Sequence, residues 1–224
     1  MARDLTAIRE SYEREGLRRR DLGEDPITQF EKWWDEWAQT DPYDAAACVL
    51  ATVSSSGQPS ARFVLCREFD LNGFVVYTNL ESHKGLDLAA NPKAAITFGW
   101  LDLSRQVRIE GPVTHVEDAA ADEYWSSRPR GSQIGAWASE QSRPVSGRAE
   151  LDQRQAEVVE RFGGPDATTP IERPPHWGGY RVGIERIEFW QGQPDRLHDR
   201  FEYRRDVSEG SEGPGGWKIR RLAP

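Results

Sequence analysis

Residues 47–80 read ACVLATVSSSGQPSARFVLCREFDLNGFVVYTNL, and this stretch decides the fold. Three short runs within it, ACVLATV, SARFVLCRE and GFVVYTNL, are rich in the β-branched and aromatic residues that suit a pleated, half-buried surface. Between them stand SSSGQP and DLNG, whose Ser, Gly, Pro, Asn and Asp favour tight turns. A parallel crossover needs a dozen or more residues, so links this short predict antiparallel hairpins.

Working outward, residues 3–20 are expected to be helical and charged, with Leu5, Ile8 and Tyr12 as a thin apolar edge. A second helix is predicted to start at Pro26, capped by Asp25, and to stop before Asp41-Pro42. Ile27, Phe30, Trp33, Trp34 and Trp37 form its apolar stripe. Downstream, SHKGLDLAAN predicts a short helix capped by Ser82, and KAAITFGW and RQVRIEGPVTHV predict strands. Residues 117–128 and 148–162 read as helices and 163–176 as a loop. GYRVGIERIEFW, LHDRFEYRRD and GGWKIRRLAP are expected to close the chain with three more strands. Six or seven antiparallel strands at least, with a few peripheral helices, predict a mainly β chain folded as a closed or nearly closed barrel. Residues 1–22 form a separate helical segment in this reading, and 23–224 a single domain.

Composition narrows the function. In 224 residues, 37% are apolar and 29% charged, which fits a globular chain, and the net charge of −8 argues against a general nucleic-acid binder. Arg18, Arg19 and Arg20 therefore read as a solvated helix end or a local anion contact. The two cysteines, Cys48 and Cys66, sit in apolar runs and fit reduced, buried thiols of a cytoplasmic protein. No His/Cys spacing suits zinc, so no metal site is expected. No apolar run approaches the roughly 20 residues that cross a bilayer, so no membrane partner is expected.

Three features suit anions. In an extended chain, Arg196, His198 and Arg200 share one face, with Trp190 close by, and three cations on one face call for an anion between them. Lys84 stands in the first turn of the helix capped by Ser82, where free amides and the dipole favour phosphate. SSRPRGSQ, residues 126–133, brings Arg128 and Arg130 to a Pro/Gly bend beside hydroxyl and amide donors. Each alone has a plain reading, a surface arginine or a simple cap. Three together on one small barrel indicate more than one phosphate group. There is no GxSxG elbow, no GxGxxG after a strand and no Walker loop. His198 is the best acid–base candidate, while His115 and His176 read as structural. The hard chemistry then falls to a cofactor.

The runs GLRRRDL, ATVSSSGQPSARFVL, YTNLESHK, SRPRGSQIGAWASEQS, FWQG, RLHDRF and WKIRRLAP, in this order, resemble the pyridoxamine 5'-phosphate oxidase family from about residue 9 to the carboxyl end. The resemblance implies an FMN-binding split β-barrel, a cytoplasmic homodimer with FMN at its interface. It implies oxidation of pyridoxamine or pyridoxine 5'-phosphate to pyridoxal 5'-phosphate, oxygen becoming hydrogen peroxide.

By resemblance, Arg62, Phe63, Val64, Leu65, Cys66 and Arg67 with Tyr77, Thr78, His83 and Lys84 form the main FMN-contacting set. Gln106, Gln141 and Ser142 complete it from across the dimer interface, and Trp190 and Arg200 also contact the flavin. Arg67, Tyr124, Arg128 and Ser132 match the residues that hold the substrate phosphate, and the catalytic pair Arg196 and His198 faces the substrate. Arg9 and Tyr12 match an amino-terminal segment that folds over the site. Two positions depart from the family pattern: Arg67 replaces a typical lysine, and His83 replaces a frequent arginine beside the flavin phosphate. Strict alternation puts Arg62 and Arg67 on opposite strand faces, so a shared site requires a bulge, a strand end or the partner subunit. The alternatives are another flavin- or deazaflavin-dependent split-barrel oxidoreductase, and a non-catalytic binder of pyridoxal 5'-phosphate.

Overall fold

The computed structural model describes residues 15–206 and 216–224. Nine strands run in chain order as β1 (Ala47–Val53), β2 (Pro59–Asp70), β3 (Gly73–Asn79), β4 (Lys93–Trp100), β5 (Arg105–His115), β6 (Trp177–Val182), β7 (Arg186–Gln191), β8 (Asp199–Arg205) and β9 (Trp217–Leu222). Their order in the sheet is β4-β1-β2-β3-β6-β5-β7-β8-β9, and an additional β4–β5 pairing closes six of them into the expected barrel ring. The β2–β3, β3–β6, β5–β7 and β7–β8 pairs are antiparallel.

Turn chemistry sets the β2–β3 hairpin. Asp70 Oδ1 accepts from Asn72 N at 2.7 Å and from Gly73 N at 3.0 Å, the local bonding that makes Asp a turn former. Gly73 has a φ of 138°, and a Cβ there would stand 2.1 Å from the Val182 carbonyl oxygen, so the β3–β6 pairing demands glycine.

Contacts divide the described residues into two compact units, those within 15–49, 96–110, 184–206 and 216–224 in one and 50–95 and 111–183 in the other. The first unit carries helix α1 (Pro26–Ala38). Asp25 Oδ1 accepts from Ile27 N at 2.8 Å and Thr28 N at 3.0 Å, satisfying two orphan amides of the first turn as the sequence predicts. Ile27, Phe30 and Trp33 are buried. The Phe30 ring meets Phe98 edge-on at 5.1 Å, and Trp33 meets Phe189 at 5.3 Å, so the helical stripe supplies this unit's core.

The second unit holds α2 (His83–Ala90), α3 (Asp118–Ser127), α4 (Arg130–Ala138) and α5 (Arg148–Phe162). Trp125, Ile134, Ile171 and Trp177 form a buried cluster in it.

Four expectations are corrected. Residues 15–18 are not helical and are followed only by a single 3-10 turn at Arg19–Asp21; the rest of the predicted 3–20 helix lies outside the described residues. GYRVGIERIEFW holds two strands, because the chain breaks between β6 and β7, where Gly183 N and Glu185 N bond to Pro112 O and Glu110 O respectively. SRPRGSQIGAW contains helix α4, whose glycines are carried by burial of Ile134. Residues 196–200 are not one extended run. Pro194 starts a 3-10 turn through Arg196, with Asp195 and Arg196 at φ of 55° and 62°, and the strand begins only at Asp199. Strict alternation therefore does not place Arg196, His198 and Arg200 on one face.

Candidate functional site

A cavity of about 950 Å³ opens in the second unit between β2, β3, α2 and the α3–α4 corner. Its lining includes Arg62, Arg67, Lys84 and Arg128 and contains no Asp or Glu. Phe63, Val64, Leu65, Tyr77, Thr78, His83, Tyr124, Ser132, Gln141 and Ser142 also line it. Of the run 62–67, Cys66 alone is turned into the core, 7% exposed, its thiol donating to Glu68 O at 3.3 Å and pushed up to about 12 by burial.

A bulge brings the two strand arginines together. In the β2–β3 ladder Cys66 pairs with Val76 and Glu68 with Val75, so Arg67 is the extra residue, the first of the three devices that would let the site be shared. Arg62 is held from behind: Nη1 donates to Thr52 Oγ1 at 2.7 Å and Leu50 O at 3.2 Å, and Nη2 to Ser60 Oγ at 2.8 Å. The buried Asp87 carboxylate stands 3.8 Å from Nη2. Desolvation lowers the Arg62 pKa, and Asp87 opposes that shift.

Lys84 is buried at the start of α2, where Ser82 caps the helix. Its Nζ donates to Gln141 Oε1 at 2.8 Å, Thr78 Oγ1 at 3.0 Å and Ser82 Oγ at 3.2 Å, all neutral partners. Desolvation, and then the charge of Arg62, bring its pKa down to about 8. Gln141 and Ser142, expected from a partner subunit, thus line the cavity of their own chain. His83 stands beside Lys84 with Nε2 at 3.7 Å from Asp87 Oδ1.

On the far wall Tyr124 stacks on Tyr77 with ring centroids 4.0 Å apart, and both lie near parallel to Trp177. Arg128 Nη1 is buried without a hydrogen-bond partner. Arg130, two residues on, faces elsewhere. Its guanidinium donates to the carbonyls of Phe162, Gly163, Gly164 and Thr169, closing the carboxyl end of α5. Of the two arginines that the bend offered to an anion, the cavity uses one.

The first unit gathers a second set. Gln106 pairs with Trp190 in the β5–β7 ladder and Trp190 with Arg200 in the β7–β8 ladder, so the three occupy one cross-strand row. Arg200 donates through Nε and Nη2 to the two oxygens of buried Glu188, at 2.8 and 3.1 Å, which raises its pKa. The His198 ring lies 4.6 Å from Trp190, and Arg196 is exposed in the 3-10 turn. Arg9 and Tyr12 lie outside the described residues. Glu188 escaped the sequence reading, although an acidic residue within the β-rich run IEFW was its signal.

Among the described residues, no group of three or more His, Cys, Asp or Glu is placed to hold a metal ion. No described helix is long and apolar enough to cross a membrane. The donor set of the cavity, four cations with hydroxyl and amide groups and one orphaned guanidinium nitrogen, fits phosphate esters such as the one FMN carries.

Together, a six-strand antiparallel barrel and a cationic cavity whose lining holds no Asp or Glu define a split-barrel protein. Residues 38–161 match the sequence profile described as pyridoxamine 5'-phosphate oxidase, and residues 177–224 match the one described as the pyridoxine 5'-phosphate oxidase C-terminal dimerisation region. The chain belongs to the pyridoxamine 5'-phosphate oxidase family. It is 53% identical over 220 residues to pyridoxine/pyridoxamine 5'-phosphate oxidase 1 of Ralstonia nicotianae, covering 98% of this chain and 99% of that one. It is 49% identical over 222 residues to pyridoxine/pyridoxamine 5'-phosphate oxidase of Rubrobacter xylanophilus, covering 99% and 97%. Among solved structures it resembles PhzG from Burkholderia lata in complex with tetrahydrophenazine-1-carboxylic acid, with TM-score 0.84, 27% identity and coverage of 96% and 100%.

Proposed function

We propose that the chain is an FMN-dependent oxidase that converts pyridoxamine 5'-phosphate and pyridoxine 5'-phosphate to pyridoxal 5'-phosphate, working as a cytoplasmic homodimer with FMN at its interface. The observation that carries this reading is the cavity whose lining joins Arg62, Arg67, Lys84 and Arg128 and holds no Asp or Glu, the Asp87 carboxylate lying behind Arg62. One phosphate ester does not require four cations, whereas a phosphorylated cofactor and a phosphorylated substrate together do.

Arg62, His83 and Lys84, with Thr78, Gln141 and Ser142, would hold the FMN phosphate; Gln106, Trp190 and Arg200 carry further flavin contacts. Bound FMN supplies the two-electron acceptor that oxygen regenerates, forming hydrogen peroxide. The protein's own part is placement. Arg67, Tyr124, Arg128 and Ser132 clamp the substrate phosphate, and binding at that remote end orients the vitamer ring, an effect worth up to about 7–11 kcal/mol of barrier. Arg196 and His198 orient the amine- or alcohol-bearing carbon, and His198 is the group suited to take its proton. With the amine, water and oxygen are consumed, and the aldehyde, ammonia and peroxide are released.

The test is direct. Protein reconstituted with FMN receives pyridoxamine 5'-phosphate in air, and peroxide and the aldehyde are measured together. Peroxide in step with aldehyde supports the reading. A colourless protein that takes up pyridoxal 5'-phosphate and no FMN is a binder and not an oxidase.

A second reading draws on the likeness to PhzG, namely oxidation of a reduced tricyclic carboxylic acid. A single carboxylate makes less use of the Arg67, Arg128 and Ser132 clamp than a phosphate does. Adding tetrahydrophenazine-1-carboxylic acid to the same assay separates the two readings by kcat/KM.

A further inference from the structure

We propose that Trp177, backed by Trp125, is a positioning residue that holds Arg128 at the substrate phosphate without neutralising it; the proposal rests on the phosphorylated-vitamer reading above. The Arg128 ζ carbon lies 4.7 Å from the Trp177 ring centroid and 5.3 Å from that of Trp125. Its Nη1 is buried with no hydrogen-bond partner, and burial, with the like charge of Arg67, lowers its pKa while no carboxylate acts on it. Apart from Arg67, which shares the cavity, two neighbouring arginines are spent. Arg130 is saturated by four carbonyls, and Arg173 is paired with Asp118 and Asp122.

The chemistry explains the choice of partner. A carboxylate would fix the guanidinium but occupy the planar fork that a phosphate needs. An indole face attracts the cation through its quadrupole and leaves the N–H edge free. Desolvation works in the same direction, since it strengthens the attraction of a cation that has no ionic partner.

One ring serves two clamp groups. Trp177 lies within 7° of parallel to Tyr77 at 5.4 Å and within 9° of Tyr124 at 6.0 Å, so Arg128 and Tyr124 both take their placement from it. The ring itself is fixed. Trp177 is 5% exposed at the start of β6, opposite Asn79, and its amide donates to Pro174 O at 2.9 Å. Trp125 is pinned by a 2.7 Å bond from its indole nitrogen to Ile171 O.

The experiment compares FMN-loaded wild type with W177F, which keeps an aromatic face, W177L, which loses it, and R128K, which keeps the charge and leaves the core intact. Substrates are pyridoxamine 5'-phosphate and unphosphorylated pyridoxamine, and equilibrium dialysis measures pyridoxal 5'-phosphate binding. W177L is expected to raise KM for the phosphorylated amine about ten-fold, the scale of a partly desolvated cation–π contact, with kcat within about two-fold. The unphosphorylated amine should be nearly unaffected, and W177F should recover most of the loss. R128K should show a similar rise, because an ammonium does not lie flat on an indole. The proposal is overturned if R128K binds like wild type, if W177F is as impaired as W177L, or if W177L loses both substrates equally. Should W177L fail to fold, R128K decides. Wild-type protein that turns over neither amine sinks the functional reading alone, because dialysis of pyridoxal 5'-phosphate still tests the positioning role.

Discussion

Arg62 and Arg67 stand on one strand with an odd separation, yet both line one cavity, because Arg67 is the unpaired residue of the β2 bulge. The two differ in what surrounds them. Arg62 is anchored by Leu50, Thr52 and Ser60 beside α2, whereas Arg67 emerges past the bulge toward the wall that carries Tyr124 and Arg128. Arg62→Ala is therefore expected to weaken FMN binding by at least about ten-fold, the loss of one charge-assisted hydrogen bond. Arg67→Lys should leave FMN content unchanged and shift KM for the phosphorylated substrate. Flavin titration and steady-state kinetics on both variants check the division. A change in flavin content alone in Arg67→Lys would remove that residue from the substrate side.

Lys84 predicts a pH dependence. Its pKa is lowered from 10.5 to about 8, so between those values the folded apoprotein binds fewer protons than the unfolded chain and gains stability as pH rises. A bound phosphate favours the ammonium and reverses this preference. FMN affinity should fall as pH rises above about 8, by at most about ten-fold per pH unit for one proton. Arg62, the other charge acting on Lys84, does not titrate in that range, and Thr78, Ser82 and Gln141 are neutral. Fluorescence titration of apoprotein with FMN from pH 6.5 to 9.5 reads the slope, and Lys84→Met should abolish it.

The two loci show what a sequence can and cannot convey. Alternation along 60–67 already required a bulge, a strand end or the partner subunit for Arg62 and Arg67 to meet, because period two is a local rule; the structure supplies the bulge. The Asp25 and Ser82 caps were legible for the same reason: both partners lie within three residues. At 194–198 the same rule failed. Pro194 allows a turn, but positive φ at Asp195 and Arg196 is imposed by context, since neither is glycine. Arg128 and Arg130 were indistinguishable in SRPRGSQ. What separates them is supplied by residues 162–177, more than thirty positions away.

Arg200 carries a structural burden besides its proposed flavin contact. Glu188 is 2% exposed and receives two hydrogen bonds from Arg200, with Arg108 farther off at 3.7 Å. Arg200→Ala leaves a buried carboxylate largely uncompensated and should destabilise the fold by about 3–5 kcal/mol. Adding Glu188→Gln removes the stranded charge and should recover part of that stability without restoring any flavin contact. Denaturant melts of the apoproteins, set beside FMN titrations, separate the two effects. Equal stability of Arg200→Ala and wild type would contradict the pair's structural role.

Arg130 provides the control for its neighbour. Its guanidinium gathers the Phe162 and Gly163 carbonyls, which the end of α5 leaves without intrahelical donors, and the Gly164 and Thr169 carbonyls of the loop that follows. Arg130→Ala strips these acceptors of a charged donor, a loss of about 2 kcal/mol after solvent access to the exposed ones is allowed for. For a chain of this size that lowers Tm by about 4–8 °C. Because none of these bonds faces the cavity, KM for pyridoxamine 5'-phosphate should stay within about two-fold of wild type, well below the ten-fold that marks the loss of a phosphate contact. Arg128→Ala should show the reverse pattern, with a large rise in KM and a smaller change in Tm, since its Nη1 has no hydrogen-bond partner to lose and only its contacts with the Trp125 and Trp177 rings are given up. Calorimetry and steady-state kinetics on the two single variants and the double variant test the separation. Additive effects on Tm and on KM are expected from side chains that share no partner, and a coupled loss would place both arginines in one anion site.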